Sequence, residues 1–171
     1  MLSDRRHSFV ALPAFSIDNQ SSSSDKAVLV TFLGFENSRL GQIIENDDGA
    51  SYKRLSAHIS LPAYKPGWEN ISIRKHLRYF DYLNSELIIH PGSNPYAVNE
   101  LLDNLAYTNS KVVITPIGTK PSAVGVCIFL INNYHKNEPK KQVGAIYDFP
   151  EKSKKRSAGI GVIYTYSLTS S

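Results

Sequence analysis

The chain has 171 residues, of which 42% are hydrophobic and 20% charged, and its formal net charge is +4. This size and composition are those of one ordinary globular domain, which excludes a fibrous or disordered chain. No apolar stretch approaches the ~20 residues of a membrane-spanning helix, and the first residues lack the apolar segment of a signal peptide. We therefore expect a soluble, cytoplasmic protein with no membrane partner.

The cysteine and the basic residues do not indicate a particular reaction or ligand. The single cysteine, Cys127, lies in an apolar run and is predicted to be a small buried residue rather than a nucleophile. Two basic clusters, one at Lys136, Lys140 and Lys141 and one at 152–156, are typical of solvated loops, and the second also favours an anionic partner. No zinc-ligand spacing or nucleic-acid motif is present. We predict no metal and no cofactor, and leave nucleic acid open as a partner.

The N-terminal part of the chain differs in composition from the rest. Residues 1–25 are predicted to be a flexible segment, because Ser16 to Asp25 is serine-rich, with a short strand pattern at Phe9 to Leu12. The run from Lys26 to Leu33 is continuously apolar and rich in β-branched residues, which is typical of a strand covered on both faces. Residues 26–171 are predicted to form a single domain.

Helices and strands alternate after this first strand. Further strands are predicted at Leu55–Leu61, Glu86–His90, Lys111–Thr115, Gln142–Tyr147 and Gly161–Tyr166. Helical spacing of apolar residues predicts helices around Leu40–Ile44, over Ser72–Leu83 with Ser72 near the N-cap, after the capping pair Asn94–Pro95, and from about Pro121 to Tyr134. The last helix is apolar all round, so we predict that it packs in the middle of the domain. His58 and His76 are predicted to be structural.

This alternation predicts an α/β fold with a Rossmann-like, mainly parallel sheet and helices on both faces. Ligands of such sheets bind outside the carboxyl ends of the strands. Four loops are expected there, at 34–39, 90–94, 118–120 and 147–150.

The loop before the apolar helix is the strongest candidate for a ligand site. Gly118, Thr119 and Lys120 stand where a strand ends and a helix begins, and Pro121 suits the first helical turn. Free N–H groups, the helix dipole and the Lys120 charge favour an anion such as phosphate. An ordinary capped helix with an exposed lysine is the alternative. From the neighbouring loops we add Gly34, Asn37, Gly92 and Ser93 as predicted ligand-binding residues, because small and polar residues allow close approach.

Three polar residues on these loops are candidate catalytic groups. His90 and Asp148 each follow a predicted strand and would form an acid–base pair if they met, and Glu36 stands at a helix entrance. A capping histidine and a turn aspartate are the structural alternative. No nucleophile–base or metal-ligand constellation is recognisable, so catalysis is not the favoured prediction.

The run Thr115-Pro116-Ile117-Gly118-Thr119-Lys120-Pro121-Ser122 resembles the ligand loop of CARF-type (CRISPR-associated Rossmann fold) domains. Those domains carry a similar run at a strand–helix junction, although Pro116 and Ile117 stand here where glycine or small residues are usual. The resemblance implies a Rossmann-like fold and a cyclic-oligonucleotide-sensing role in a prokaryotic antiviral defence system. The motif covers about eight residues, and the alternating order extends it loosely over Lys26 to Tyr147.

Three functions are therefore open. The first is a non-catalytic module that binds a nucleotide or another phosphate ester, an anionic small molecule. The second is an enzyme acting on a nucleotide or a phosphorylated sugar. The third is an interaction module or the C-terminal part of a longer protein, with a homodimer or an upstream effector domain as the partner.

Overall fold

The computed structural model describes residues 8–17, 26–45, 51–134, 142–149, 163 and 165–167. Strands and helices alternate along these residues, in the order β1 (Val10–Ala11), β2 (Ala27–Phe32), α1 (Asn37–Glu45), β3 (Tyr52–Leu61), α2 (Trp68–His76), β4 (Ser85–Pro91), α3 (Pro95–Thr108), β5 (Lys111–Thr115), α4 (Lys120–Asn133) and β6 (Gln142–Tyr147). Both basic clusters lie outside the described residues, as do three of the six residues of the predicted strand Gly161–Tyr166. The other three, Ile163, Thr165 and Tyr166, are not in a strand. No helix in the described ranges is long and apolar enough to cross a membrane.

The strands form one sheet in the order β1-β6-β5-β2-β3-β4. Every neighbouring pair is parallel except β1 with β6. The central strands β2 and β5 are buried along their whole length, as their apolar, β-branched sequences require. The predicted α/β class, with a mainly parallel sheet, is confirmed.

Helices cover both faces of the sheet. On one face Leu40 and Ile44 of α1 pack with Leu29 of β2. On the other face Val98 of α3 and Phe129 of α4 pack with neighbouring residues of β2 and β5. Each face therefore has its own apolar core, and the parallel strands place every helix N-terminus at the same edge of the sheet as the strand carboxyl ends.

The strand order reverses between β2 and β5. From β2 the chain builds outward through β3 and β4, and α3 then carries it back past β2 to β5. The loops after β2 and β5 meet at this point through two glycines. A Cβ on Gly34 would lie 2.8 Å from the Ile117 carbonyl oxygen, and one on Gly118 would lie 2.8 Å from that of Phe32. Backbone contact thus fills the space between these two loops.

The N-terminal residues add an edge to the sheet. Val10 and Ala11 pair with Tyr147 and Ile146, and the N–H of Ala145 donates to the carbonyl of Phe15 at 2.9 Å. Residues 8–17 thus pack on β6, whereas the sequence placed the start of the domain at residue 26. The short apolar pattern at Phe9 to Leu12 was the signal for this strand.

Helix α4 lies on the surface of the sheet, so its predicted position in the middle of the domain is wrong. Its buried side includes Gly125, where a Cβ would lie 2.4 Å from the Pro95 carbonyl oxygen, and this close approach packs α4 against α3. Its outer side carries Val124 and Ile131, which are exposed. Cys127 lies on that side and is exposed, which corrects its predicted burial.

Helix α2 begins one turn earlier than predicted. It starts at Trp68 after Gly67, whose φ of 86° is a left-handed conformation that glycine adopts without strain. Ser72 is therefore inside the helix rather than at its N-cap, and its hydroxyl donates to the Gly34 carbonyl at 2.6 Å. The helix ends in a short 3₁₀ turn, Leu77–Tyr79.

Candidate functional site

A cavity of about 160 Å³ lies at the strand carboxyl ends, which we call the strand-end cavity. The loops after β2, β3 and β4, the first turns of α2 and the start of α4 enclose it. Four of the seven predicted ligand-binding residues line it, namely Gly34, Gly92, Ser93 and Thr119. An engineered cavity of roughly 150 Å³ binds benzene, so this one has room for a single small ring system.

One wall of the cavity is aromatic. Phe35, Tyr64 and Trp68 line it, and the rings of Phe35 and Trp68 meet edge to face with centroids 5.0 Å apart. The Lys65 ammonium lies 5.2 Å from the centroid of the Trp68 ring. Aromatic faces of this kind bind flat rings by stacking or edge contacts.

Two of the hydroxyl-bearing lining residues, Ser60 and Thr119, are linked through His90 and Ser122, which do not line the cavity. Ser60, a lining residue, is the cross-strand partner of His90, and its Oγ lies 3.4 Å from His90 Nε2. The same nitrogen lies 3.2 Å from Ser122 Oγ, which lies 2.8 Å from Thr119 Oγ1. A connected polar chain therefore joins Ser60 to Thr119.

The starts of α3 and α4 face this edge with different capping. Asn94 caps α3 by accepting the N–H groups of Tyr96 and Ala97, and Pro95 begins the helix, as predicted. Thr119 caps α4, where its Oγ1 accepts the Ser122 N–H at 3.3 Å.

This capping leaves fewer free N–H groups for the anion that was predicted to bind at Gly118, Thr119 and Lys120. Pro121 has no N–H, and the N–H groups of Ser122 and Ala123 are bonded to Thr119. Of the N–H groups in the first turn of α4, these contacts leave that of Lys120 without an acceptor. The Lys120 side chain is exposed beside Thr119, and Gly118 contacts the β2 backbone instead of lining the cavity.

His58 belongs to a second polar chain on the same face of the sheet. Ser56 donates its hydroxyl hydrogen to Glu86 at 2.8 Å, so its oxygen accepts the His58 Nε2–H at 3.0 Å. Nδ1 of His58 is buried and has no hydrogen-bond partner among the described residues. Burial, reinforced by His90, lowers the pKa of His58 from 6.5 to about 3. His58 is neutral at physiological pH, and its predicted structural role agrees with this burial.

His90 is also neutral near pH 7. Burial lowers its pKa below the usual 6.5, and the backbone of Ile59 opposes this effect. A neutral imidazole can accept the proton of a neighbouring hydroxyl, and Ser60 is the one that reaches the cavity. The acidic residue of a catalytic triad would have to complete this pair.

The predicted acidic partners lie elsewhere. Asp148 follows β6, which three strands separate from β4 and His90, so the suggested His90–Asp148 pair does not form. Asp148 is 6% exposed and accepts two hydrogen bonds from Arg39, one of them from Nε at 2.7 Å. Glu36 does not line the cavity, and its Oε1 is buried without a hydrogen-bond partner in the described ranges. Among the described residues, the side-chain partners of His90 are Ser60 and Ser122 rather than either predicted acid.

The loop after β2 is held by α2. The Asn37 amide donates to the Lys75 carbonyl at 3.0 Å, and the Lys75 ammonium donates to the Phe35 carbonyl at 3.3 Å. Asn37 thus joins the loop to the helix and does not line the cavity, although it was predicted to bind ligand. Gly34, at the start of the same loop, does line the cavity.

Sequence reasoning missed the aromatic wall and the cavity's carboxylate. Trp68 and Glu69 stand in the first turn of α2, before the helix start that was predicted at Ser72 because apolar spacing begins at Ile73. Tyr64 lies on the loop after β3, which was not among the four loops predicted to face a ligand. The available signal was Gly67 followed by the chain's single tryptophan, a helix start beside a predicted ligand edge.

In the described ranges, no three His, Cys, Asp or Glu side chains lie close enough together to hold a metal ion. Comparison with models of known protein families and with curated protein sequences gives no match.

Proposed function

We propose that this chain binds a nucleotide without turning it over. The ring of the base enters the strand-end cavity against Trp68 and Tyr64, and the phosphate lies outside it, towards the starts of α3 and α4. The observation that carries the proposal is the aromatic-walled cavity beside Gly92, Ser93 and Thr119, which directly precede those two helices.

The size of the cavity fits part of a nucleotide. At about 160 Å³ it is smaller than the roughly 300–1,000 Å³ of sites that enclose a whole drug-sized ligand. A base fills such a space and leaves the sugar and phosphate at the rim. There the helix dipoles, the Lys120 ammonium and small residues with accessible backbone favour an anionic group.

Sensing of cyclic oligonucleotides in antiviral defence is the narrower form of this proposal. Its support is the resemblance of the run from Thr115 to Ser122 to the CARF-type ligand loop. A second copy of the chain or an effector domain would then relay the signal, and the exposed apolar side of α4 offers such a partner a surface.

A thermal-shift screen tests the proposal. The purified protein is screened against mononucleotides, dinucleotides, cyclic oligonucleotides and sugar phosphates. A ligand at about one hundred times its Kd adds roughly 2.7 kcal/mol to the free energy of unfolding, which raises Tm measurably. We expect a shift with a nucleotide that is reduced in Lys120→Ala, because the phosphate loses its cation.

Lys53→Ala is the matched control, since Lys53 is exposed near the amino end of β3, at the opposite edge of the sheet. It should leave the shift unchanged. The corresponding nucleoside, which has no phosphate, should raise Tm less than the nucleotide does. Its shift should be the same in the wild type and in Lys120→Ala. The absence of any shift in a folded sample would refute the proposal.

A further inference from the structure

The two edges of the sheet are protected to different degrees. One edge is β1, a two-residue strand, and very short edge strands are a common protection against pairing with another chain. The other edge is β4, which pairs with β3 in an unbroken register over its seven residues. β4 has no lysine and no bulge, its proline is the last residue, and its acidic side chain, Glu86, is bound to Ser56 and Arg54. Most of β4 therefore lacks the features that keep an edge strand from pairing.

Alternate residues of β4 direct their backbone groups away from the sheet. The Leu55 N–H donates to the Asn84 carbonyl at 3.1 Å, so the even-numbered residues of β4 bond to β3 in the alternating pattern of a parallel pair. The N–H and C=O groups of Leu87 and Ile89 consequently point outward. In the described part of the chain, no strand lies beyond β4 to pair with them.

The side chains of the same two residues are apolar and exposed. Leu87 is 42% exposed and Ile89 is 62% exposed. Their cross-strand neighbours on β3, Ala57 and Ile59, are buried in the apolar core on which α1 packs. This core therefore continues onto β4, where its side chains face solvent instead of a helix.

A second copy of the same strand is complementary to this edge. In an antiparallel pair, opposed residues that both point outward exchange two N–H···O=C bonds. A two-fold axis at Ile88 places Leu87 of each copy opposite Ile89 of the other, so both pairs exchange these bonds. The same register sets the exposed aliphatic side chains opposite each other, which removes apolar surface from water. No like charges meet, because Glu86 lies opposite His90.

We propose that β4 is a dimerisation edge, which pairs antiparallel with β4 of a second copy about a two-fold axis at Ile88. The two sheets then form one continuous sheet, in which Leu87 and Ile89 of both copies cover one another. Because the two β4 strands run in opposite directions, the two strand-end cavities lie at opposite edges of the joined sheet. The inference is independent of nucleotide binding.

Analytical ultracentrifugation of the full chain measures the association. At about 100 μM the wild type should be mainly a dimer, and Ile89→Lys should raise the Kd of the dimer at least about tenfold, because the substitution enters the interface twice. Ile89 is exposed, so the far-ultraviolet circular dichroism should not change. Val10→Lys is the matched control, since Val10 is exposed on β1 at the other edge of the sheet. It should leave the Kd unchanged.

Ile88→Cys in a Cys127→Ser background tests the register. Residues on the two-fold axis form a non-hydrogen-bonded pair with Cα atoms about 4.5 Å apart, within the roughly 4.4–6.8 Å that a disulfide spans. Mild oxidation should therefore join two chains, which a non-reducing gel detects. The wild type is the control, because its cysteine lies on the exposed side of α4, and it should remain uncrosslinked.

Three results would overturn the proposal. The first is a wild type that remains a monomer at about 100 μM. The second is a dimer that Ile89→Lys does not weaken, or that oxidation of the wild type crosslinks through Cys127, which would place the contact on α4. The third is a dimer that Ile88→Cys does not crosslink, since the two strands would then not meet in the register described.

Discussion

Asp148→Asn is expected to lower the free energy of unfolding by about 3–5 kcal/mol, the usual cost of breaking a buried ion pair. The side chains of Arg39 and Asp148 are 13% and 7% exposed, and the carboxylate accepts from both Nε and Nη2 of the guanidinium. Removal of the carboxylate charge leaves the Arg39 guanidinium buried without its counterion. Urea unfolding followed by circular dichroism measures the loss.

Two controls distinguish the buried pair from an ordinary surface contact. In Arg39→Met/Asp148→Leu no unpaired charge remains, so the double variant should lose less stability than Asp148→Asn alone. Arg54→Met breaks the Arg54–Glu86 pair, whose side chains are 31% and 36% exposed, and should cost about 1 kcal/mol or less. A loss below about 1 kcal/mol in Asp148→Asn would show that the loop after β6 is not fixed to α1 by this pair.

Acid should destabilise the fold through His58. The folded protein holds the pKa of His58 at about 3, against an ordinary value of 6.5. Between these two pH values His58 is protonated in the unfolded chain and neutral in the folded protein. Its contribution to the free energy of unfolding is therefore complete above pH 6.5 and decreases as the pH falls towards 3. From about pH 7.5 to about pH 5 this one group should remove about 2 kcal/mol.

The variant His58→Gln isolates this contribution. It should be less stable than the wild type at neutral pH but lose about 2 kcal/mol less between about pH 7.5 and about pH 5. Burial also lowers the pKa values of His76 and His90, so both proteins keep a residual acid sensitivity of the same sign. Identical pH profiles of the two proteins would contradict the burial of a neutral His58 beside His90.

Local sequence signals predicted most of the fold because they act over short distances. The run Lys111–Thr115 is apolar and β-branched enough to require cover on both faces, and it became a central strand. The pair Asn94–Pro95 marked the start of α3, because an amide cap and a fixed φ act within one turn. Neither feature depends on strand order.

Properties that depend on neighbouring elements were not predictable in the same way. Helix α4 is apolar on both sides, so its sequence could not show that Cys127 faces outward while Phe129 faces the sheet. The Arg39–Asp148 pair joins residues 109 positions apart, and only the strand order brings them together.

The site illustrates the same limit. Parallel strands placed Gly34, Gly92, Ser93 and Thr119 at one edge, as the topological rule predicts. The cavity nevertheless lies towards β3 and β4, because Gly34 and Gly118 bring the loops after β2 and β5 into backbone contact. This close approach, and the wall that α2 provides, follow from tertiary packing rather than from a local motif.

The fluorescence of Trp68 tests whether a nucleotide binds in the strand-end cavity, because Trp68 is the only tryptophan of the chain and lines that cavity. Titration with adenosine or cytidine monophosphate should change its emission in a saturable way. The change should disappear in Ala63→Phe, which fills the cavity from its own wall, while the far-ultraviolet circular dichroism stays the same. Calorimetric binding that leaves the emission of Trp68 unaltered and survives in Ala63→Phe would show that the ligand binds outside this cavity and would refute the proposed site.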